Sequence, residues 1–282
     1  MKVRQRGVAL ISVLLVMSLA LLIIGSVLRS HRLLLQSSGQ QLQQMHLKEI
    51  ALGNESWTLL RLQDAGQTPG NTVDLTQDWS TVRGYVIEDT QVLVAVEDLA
   101  GRFNVNALLI QGQIDQVTLS RWNHLLELLE LPAMPLEQVG ALREPSQLRL
   151  LPGVDGEWLR RLEPWVATLP KEAALNINTA PEMVLRAIDG LDAATVAALL
   201  LQRSTMPWSS VQSFTQDPLL EGLGLSSHGL GIDSRWYRIT VQVSQGQSRF
   251  NLATDVERDP KTRQLKILQR RILPSNTHEI TQ

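Results

Sequence analysis

Seven residues, Met1-Lys2-Val3-Arg4-Gln5-Arg6-Gly7, stand before a run of 21 residues (8–28) with no charged side chain and no proline. At about 1.5 Å rise per residue, a helix over that run covers roughly the 30 Å hydrocarbon core of a bilayer. The run is too long for the apolar part of an ordinary secretory signal, about 7–15 residues, and no Ala-x-Ala site closes it. The expectation is therefore a leader clipped before the apolar segment, which stays as a single membrane anchor. The alternative is an uncleaved single-pass anchor. Lys2, Arg4 and Arg6 favour a cytoplasmic N-terminus; Arg29 and Arg32, with His31, weaken that asymmetry at the far end.

The remaining length of this 282-residue chain allows one or two further domains with a proper core. A formal charge of −2 excludes a globally basic, nucleic-acid-coating protein. The absence of cysteine excludes disulfides, thiolate metal sites and a cysteine nucleophile.

Past the anchor, residues 29–63 are rich in Leu and Gln and free of proline, so one helix is expected from Val8 to about Leu62. Leu47, Ile50, Trp57 and Leu60 fall at helical spacing and predict its buried stripe. Gly25, Gly39 and Gly53 are weak points, each costing up to about 1 kcal/mol relative to Ala. A Gly/Pro/Asn break at 66–71 precedes two alternating segments, 82–88 and 91–97, that read as a hairpin turning at Asp89-Thr90. Matching strands recur only at 235–244, 248–253 and 264–272. In the first, Tyr237, Ile239, Val241 and Val243 share one face.

The expected fold class is α+β. A pilin-like long N-terminal helix carries a small antiparallel sheet (64–98 and 233–282), interrupted by a large all-α insertion (99–232). Two separate sheets would make poor independent cores.

The insertion holds an internal repeat. Leu148-Arg149-Leu150-Leu151-Pro152-Gly153-Val154-Asp155 aligns with Leu185-Arg186-Ala187-Ile188-Asp189-Gly190-Leu191-Asp192 at an offset of 37 residues. Leu159 and Leu162 match Val196 and Leu199. Each copy reads as helix, tight glycine turn, helix, and resembles a helix-hairpin-helix (SAM-like) unit. In DNA-binding versions a Gly-x-Gly turn grips phosphate; here Asp155 and Asp192 replace the second glycine, which favours a packing module and no nucleic acid.

No constellation for chemistry emerges. The histidines (31, 46, 124, 228, 278) lack His-x-x-x-His spacing, and Glu127 and Glu130 read as a solvated helix face. No P-loop, dinucleotide or Gly-x-Ser-x-Gly motif occurs. The chain reads as a non-enzyme.

Three segments together resemble one family, the K-type minor pseudopilins of bacterial type II secretion. They are Arg6-Gly7-Val8-Ala9-Leu10-Ile11, then Glu97-Asp98-Leu99-Ala100-Gly101-Arg102-Phe103-Asn104-Val105-Asn106, and finally Leu175-Asn176-Ile177-Asn178-Thr179-Ala180-Pro181. The resemblance covers most of residues 4–255. It implies a class III leader (1–7) cut by the prepilin peptidase between Gly7 and Val8, and N-methylation of Val8. Ser12 stands at the fifth position of the mature chain, where most pilins carry glutamate; K-type subunits lack it, which suits a filament tip. The implied partners are the I- and J-type minor pseudopilins, the major pseudopilin, the inner-membrane secretion platform and the peptidase. The implied location is the inner membrane with the globular part in the periplasm. Some relatives carry an aspartate-rich stretch and a structural calcium. This chain lacks that stretch and no set of oxygen ligands can be assembled, so no cofactor is expected. A membrane-anchored DNA-uptake protein and a minor pilin of a type IV pilus remain the alternatives.

Overall fold

Helix α1 (Gln5–Ala65) is one unbroken element of 61 residues, about 90 Å long. The computed structural model describes residues 5–65, 72–110, 113–134 and 141–274. Residues 1–4 of the leader, the 66–71 break, Pro135 and His278 lie outside the described residues. Residues 10–46 of α1 are solvent-exposed apart from half-buried Gln43, and the helix is long and apolar enough to cross a membrane. Within this stretch the hydroxyls of Ser18 and Ser26 donate to the carbonyls of Leu15 and Ile23, 2.9 and 2.8 Å away. A polar group on a lipid-facing helix is thereby satisfied without a neighbour.

The lower half of α1 lies on a five-stranded antiparallel sheet of order β1-β2-β3-β4-β5. The strands are β1 (Arg83–Ile87), β2 (Thr90–Asp98), β3 (Trp236–Gln245), β4 (Ser248–Arg258) and β5 (Leu265–Leu273). They form a simple meander in space, yet residues 99–235 intervene between its second and third strands. Alternation builds the core: Val92 and Val94 of β2 pair with Val243 and Val241 of β3. These pack with Ile239 and Leu252 against Leu47 and Ala51 of α1. Full burial of each such side chain stabilises by about 1.5–3 kcal/mol. The opposite face carries a charge ladder: Glu97 sits opposite Arg238, Arg238 opposite Asp255, and Arg271 reaches Asp255 at 3.1 Å.

Two local expectations are corrected. The hairpin turns at Glu88-Asp89 and not at Asp89-Thr90, because Ile87 already pairs with Thr90 and Glu88 takes the positive φ of 53° that a two-residue hairpin loop requires. The stripe of α1 also differs. Leu47 is buried, but Trp57 and Leu60 are 50% and 66% exposed. The stripe that meets the sheet is Leu47, Ala51, Glu55, Thr58 and Leu62. Glu55 is fully buried because β4 and β5 offer it donors: Thr254 Oγ1 at 2.5 Å and Arg270 Nε at 2.8 Å.

The insertion is mainly helical, with α2 (Gln116–Leu128), α3 (Gly156–Leu162), α4 (Glu182–Arg186), α5 (Ala193–Thr205) and α6 (Val211–Thr215). It is not all-α. Phe103–Asn104 pairs in parallel with Val166–Ala167, Leu175–Asn176 in parallel with Leu230–Gly231, and Leu109–Ile110 antiparallel with Gln113–Ile114. The aligned repeat positions Leu148/Leu185, Leu159/Val196 and Leu162/Leu199 are all buried in one core with Trp122, Leu125 and Phe214. Gly153 and Gly190 share φ = 83°, a conformation that glycine adopts without the penalty of a Cβ. Glu130 lies past the end of α2 and not on it. It takes φ = 51°, donates its N–H to Glu127 O (2.9 Å), and Leu131 N–H reaches Leu126 O (2.8 Å), a Schellman stop.

The Glu55–Arg270 pair yields an asymmetric prediction. Arg270→Ala leaves a carboxylate without a counter-charge at a fully buried position and should destabilise by about 3 kcal/mol. Glu55→Ala leaves a half-exposed arginine that can turn to water, and should cost less, about 1–2 kcal/mol. Denaturant unfolding of the full chain in detergent reads both; a larger loss for Glu55→Ala contradicts this account.

Candidate functional site

Two of the three sequence segments singled out above meet in space, where the chain leaves the sheet for the insertion. Asp98, the last residue of β2, is buried. Its Oδ1 accepts the N–H of Ala100 at 2.8 Å and so caps the tight turn Leu99–Gly101. Its Oδ2 accepts Asn176 Nδ2 at 2.8 Å and Thr179 Oγ1 at 2.6 Å. Asn176 spends its second amide hydrogen on Val73 O at 2.9 Å, in the segment after α1, while Val73 N–H bonds Ile232 O at 2.9 Å. The exit from the sheet, the middle of the insertion and the return to the sheet are therefore tied at one point.

The asparagines of both segments serve as backbone surrogates. Asn104 accepts Leu169 N–H (3.1 Å) and donates to Pro170 O (2.8 Å). Asn106 exchanges bonds with both backbone groups of Leu142, each 2.8 Å. Asn178 does the same with Trp208, each 2.9 Å. A side-chain amide offers a donor and an acceptor with peptide-like geometry, so irregular backbone can be buried without orphaned groups. Arg203, from α5, donates to Ile177 O (2.9 Å) and Ala180 O (2.7 Å) beneath this loop. Gly101 packs so closely that a Cβ there would lie 2.8 Å from Thr179 Oγ1 and 2.9 Å from Thr179 O.

Burial pushes the Asp98 carboxyl up to about 6, against hydrogen bonds from Ser234, Thr179, Asn176 and the Ala100 amide that pull the other way. Burial likewise lowers Arg203 to about 10.

The repeat turns are occupied by the chain's own carboxylates. Asp155 Oδ1 accepts the N–H groups of Glu157 (3.0 Å) and Trp158 (2.7 Å); Asp192 Oδ1 accepts Thr195 N–H (2.7 Å). The amides that a phosphate would need at these helix starts already hold acceptors. The remaining expected residues lie elsewhere. Gly7 and Val8 are in the first turns of α1, and Ser12 is exposed on it. His228 pairs with Asp115 at 2.6 Å. Glu127 and Glu130 are exposed. Among the described residues no group of three or more His, Asp or Glu side chains converges in a way that suits a metal ion.

A long membrane-length helix whose outer half packs on a small meander sheet, with a helical insertion between two of its strands, defines a pilin-like anchored subunit. The family described as "Type II secretion system (T2SS), protein K" matches residues 175–233, which begin at Leu175, directly before the Asn176–Thr179 loop. Type II secretion system protein K of Pseudomonas aeruginosa is 26% identical over 297 residues, spanning 90% of this chain and 89% of the relative. That of Klebsiella pneumoniae is 27% identical over 317 residues, spanning 95% and 96%. The fold is similar to a chain in the crystal structure of the GspK-GspI-GspJ complex from enterotoxigenic Escherichia coli, with a TM-score of 0.71 and 20% identity over 84% of this chain and 99% of that one. Over most of its length the chain is therefore similar to type II secretion system protein K. Neither the DNA-uptake nor the type IV pilus alternative is favoured by these likenesses.

The native state holds a proton on Asp98 more tightly than the unfolded chain, whose carboxyl titrates near 3.8. Stability that this site contributes is complete below about pH 4 and is lost as pH rises to about 6, by roughly 3 kcal/mol. Asp98→Asn removes that slope: the stability of the unmodified chain minus that of the variant should fall between pH 4 and pH 6 and be flat above pH 7. Unfolding midpoints across this range check it, and a flat difference throughout contradicts it. Gly101→Ala should independently cost about 1–3 kcal/mol by overpacking against Thr179, read as a lowered Tm.

Proposed function

We propose that this subunit caps and primes the tip of a periplasmic pseudopilus, together with I- and J-type minor pseudopilins, for export of folded proteins. The observation that carries this reading is α1 itself. From residue 10 to 46 its side chains are exposed apart from half-buried Gln43, and the apolar ones need lipid first and neighbouring helices afterwards. The insertion supports a terminal place, since a body of that width between two sheet strands is too bulky to repeat along a shaft. The similar solved fold comes from a complex with GspI and GspJ.

On this reading the prepilin peptidase cuts between Gly7 and Val8, and Val8 is N-methylated. The helix then spans the inner membrane with its N-terminus cytoplasmic and the sheet and insertion periplasmic, next to the major pseudopilin and the inner-membrane platform. Residues 8–28 form the span, 29–63 its periplasmic continuation, 64–98 with 233–282 the sheet region and 99–232 the insertion. Ser12 spares the subunit a carboxylate at membrane depth, which would be costly without a subunit above to pair it. The two repeats are helix-hairpin-helix-like packing modules that bind no nucleic acid, the subunit binds no cofactor, and its role is structural and not enzymatic.

Mass spectrometry of the mature N-terminus, with and without the peptidase, tests the reading. Loss of residues 1–7 and gain of one methyl on Val8 are expected only when the peptidase is present; retention of the leader or a cut beyond Leu28 refutes it. Ser12→Glu should impair secretion by several-fold while Ser12→Ala leaves it intact, since only the former places an unpaired carboxylate in the bilayer.

A further inference from the structure

The two edges of the sheet are finished differently. β5 is guarded in the ways that edge strands usually are. Its pairing with β4 shifts register at Asp255/Val256, it carries Lys266, Arg270 and Arg271, and Gln269 is held by Glu144 of the insertion at 3.1 Å. β1 lacks these devices. It pairs with β2 without a register shift, contains neither lysine nor proline, and among the described residues nothing pairs with its outer edge. Val86 and Ile87 stand on it 64% and 52% exposed. Free backbone donors and acceptors in a row are matched by water or by another extended backbone.

A cleft of about 250 Å³ lies beside the start of β1, between the end of α1 and β2, with Trp57, Leu62, Trp79, Val94 and Val96 as its apolar lining. Val92 and Val94 face α1, so their partners Tyr85 and Arg83 do too, and Tyr85 donates its hydroxyl to Asn54 of α1. Arg83 and Arg61 both stack on the Trp57 ring, 5.8 and 4.8 Å from its centroid. Neither forms an ion pair among the described residues, although Asp64 and Asp78 line the same cleft. At the other end of β1 the turn presents Glu88 and Asp89, both exposed. The strand therefore runs from a cation to two anions.

A second copy of this chain does not suit the edge. Antiparallel pairing of two identical β1 strands needs a two-fold axis normal to the sheet, which reverses α1, the helix lying on that sheet. On the reading of α1 as membrane anchor, two such copies could not sit in one bilayer. We propose that β1 and its cleft bind an extended segment of another protein, added as a sixth strand antiparallel to β1. The segment places an apolar side chain in the cleft beside Trp57, an acidic residue at the Arg83 end and a basic residue at the Glu88-Asp89 end. Antiparallel addition continues the pairing of every other neighbour in the sheet. Main-chain bonds supply affinity, while the cleft and the end charges supply register.

The probe is a labelled peptide, Lys-Val-Thr-Val-Thr-Leu-Thr-Glu, titrated into the full chain in detergent and read by fluorescence anisotropy. Saturable binding is expected, weakened about tenfold by Ile87→Lys and several-fold by Arg83→Glu. A peptide ending in lysine in place of glutamate should recover binding to the Arg83→Glu chain, which a misfolded variant could not show. Bound peptide should slow amide exchange in residues 83–87 and leave residues 265–273 unchanged. Ile87 is half exposed, and an unchanged Tm verifies that its substitution leaves the fold intact. No saturable binding, binding indifferent to Ile87→Lys, or protection of β5 in place of β1 overturns the proposal. So does Ile87-dependent self-association in sedimentation, which would assign the edge to a second copy. None of these measurements involves leader cleavage, so their failure leaves the filament-tip reading standing.

Discussion

One buried carboxylate fixes how the parts of this protein stand relative to each other. Apolar contacts hold the insertion together, but such contacts are non-directional and tolerate sliding. The bonds that Asp98 receives from Ala100, Asn176 and Thr179 are directional and short, and the donors come from two stretches of chain, the turn after β2 and the loop at 176–179. A residue whose burial costs stability at neutral pH is therefore the residue that sets orientation. The cost is contained because the carboxylate's lone pairs are met, and because Asn176 extends the network to Val73 and so to the end of α1. Removing any one member leaves another polar group buried without a partner, which is why such a network holds a single arrangement.

The same logic governs the seat of α1 on the sheet. From residue 10 to 46 the helix is exposed apart from half-buried Gln43, and no other contact among the described residues specifies its rotation there. Below, Leu47, Ala51 and Leu62 supply burial, while Glu55, held by Thr254 and Arg270, supplies register. A shift of one helical residue would turn Glu55 by about 100° away from its donors. The polar pair thus fixes the rotation of the helix that carries the membrane anchor, and with it the direction in which each lipid-facing residue points.

Legibility of the sequence divides along this line. Strand alternation was readable because Val92, Val94, Ile239, Val241 and Val243 obey a period of two and one face is apolar. The interrupted sheet followed from two incomplete strand groups. The helix stripe was legible at Leu47 and Ile50 but not at Trp57 and Leu60, because its path beyond Ala51 runs through Glu55 and Thr58. Apolar periodicity assigns those residues to water, and for Glu55 only the donors on β4 and β5, 199 and 215 residues away, reverse the choice. The asparagine-rich segments drew attention by resemblance, yet nothing in their spacing says that Asp98 and Thr179 touch. The pairing spans 81 positions and rests on three or four bonds with no periodicity. A signal did exist in Gly101: a glycine amid otherwise side-chain-bearing turn residues marks a close approach, here to Thr179. Glu130 was misplaced for a related reason, since a left-handed stop in a non-glycine residue leaves no mark in composition.

The repeats show how a shared local solution is put to different use by its surroundings. Asp155 and Asp192 make the same cap, and Gly153 and Gly190 the same turn. Local chemistry therefore fixes the backbone of both copies without help from outside. What differs is long-range. The second copy has Leu223 beside its turn and is braced by Arg203 against the asparagine loop, so it belongs to the fold's fixed centre. The first copy touches that centre through Leu148, Leu159 and Leu162 and reaches the sheet edge through Glu144 and Gln269, 3.1 Å apart. Its turn is left free of both tasks. Two copies of one motif, stabilised by the same caps, thus differ by their surroundings, with Ala187, Ile188 and Leu191 buried in the second where Leu150 of the first is exposed.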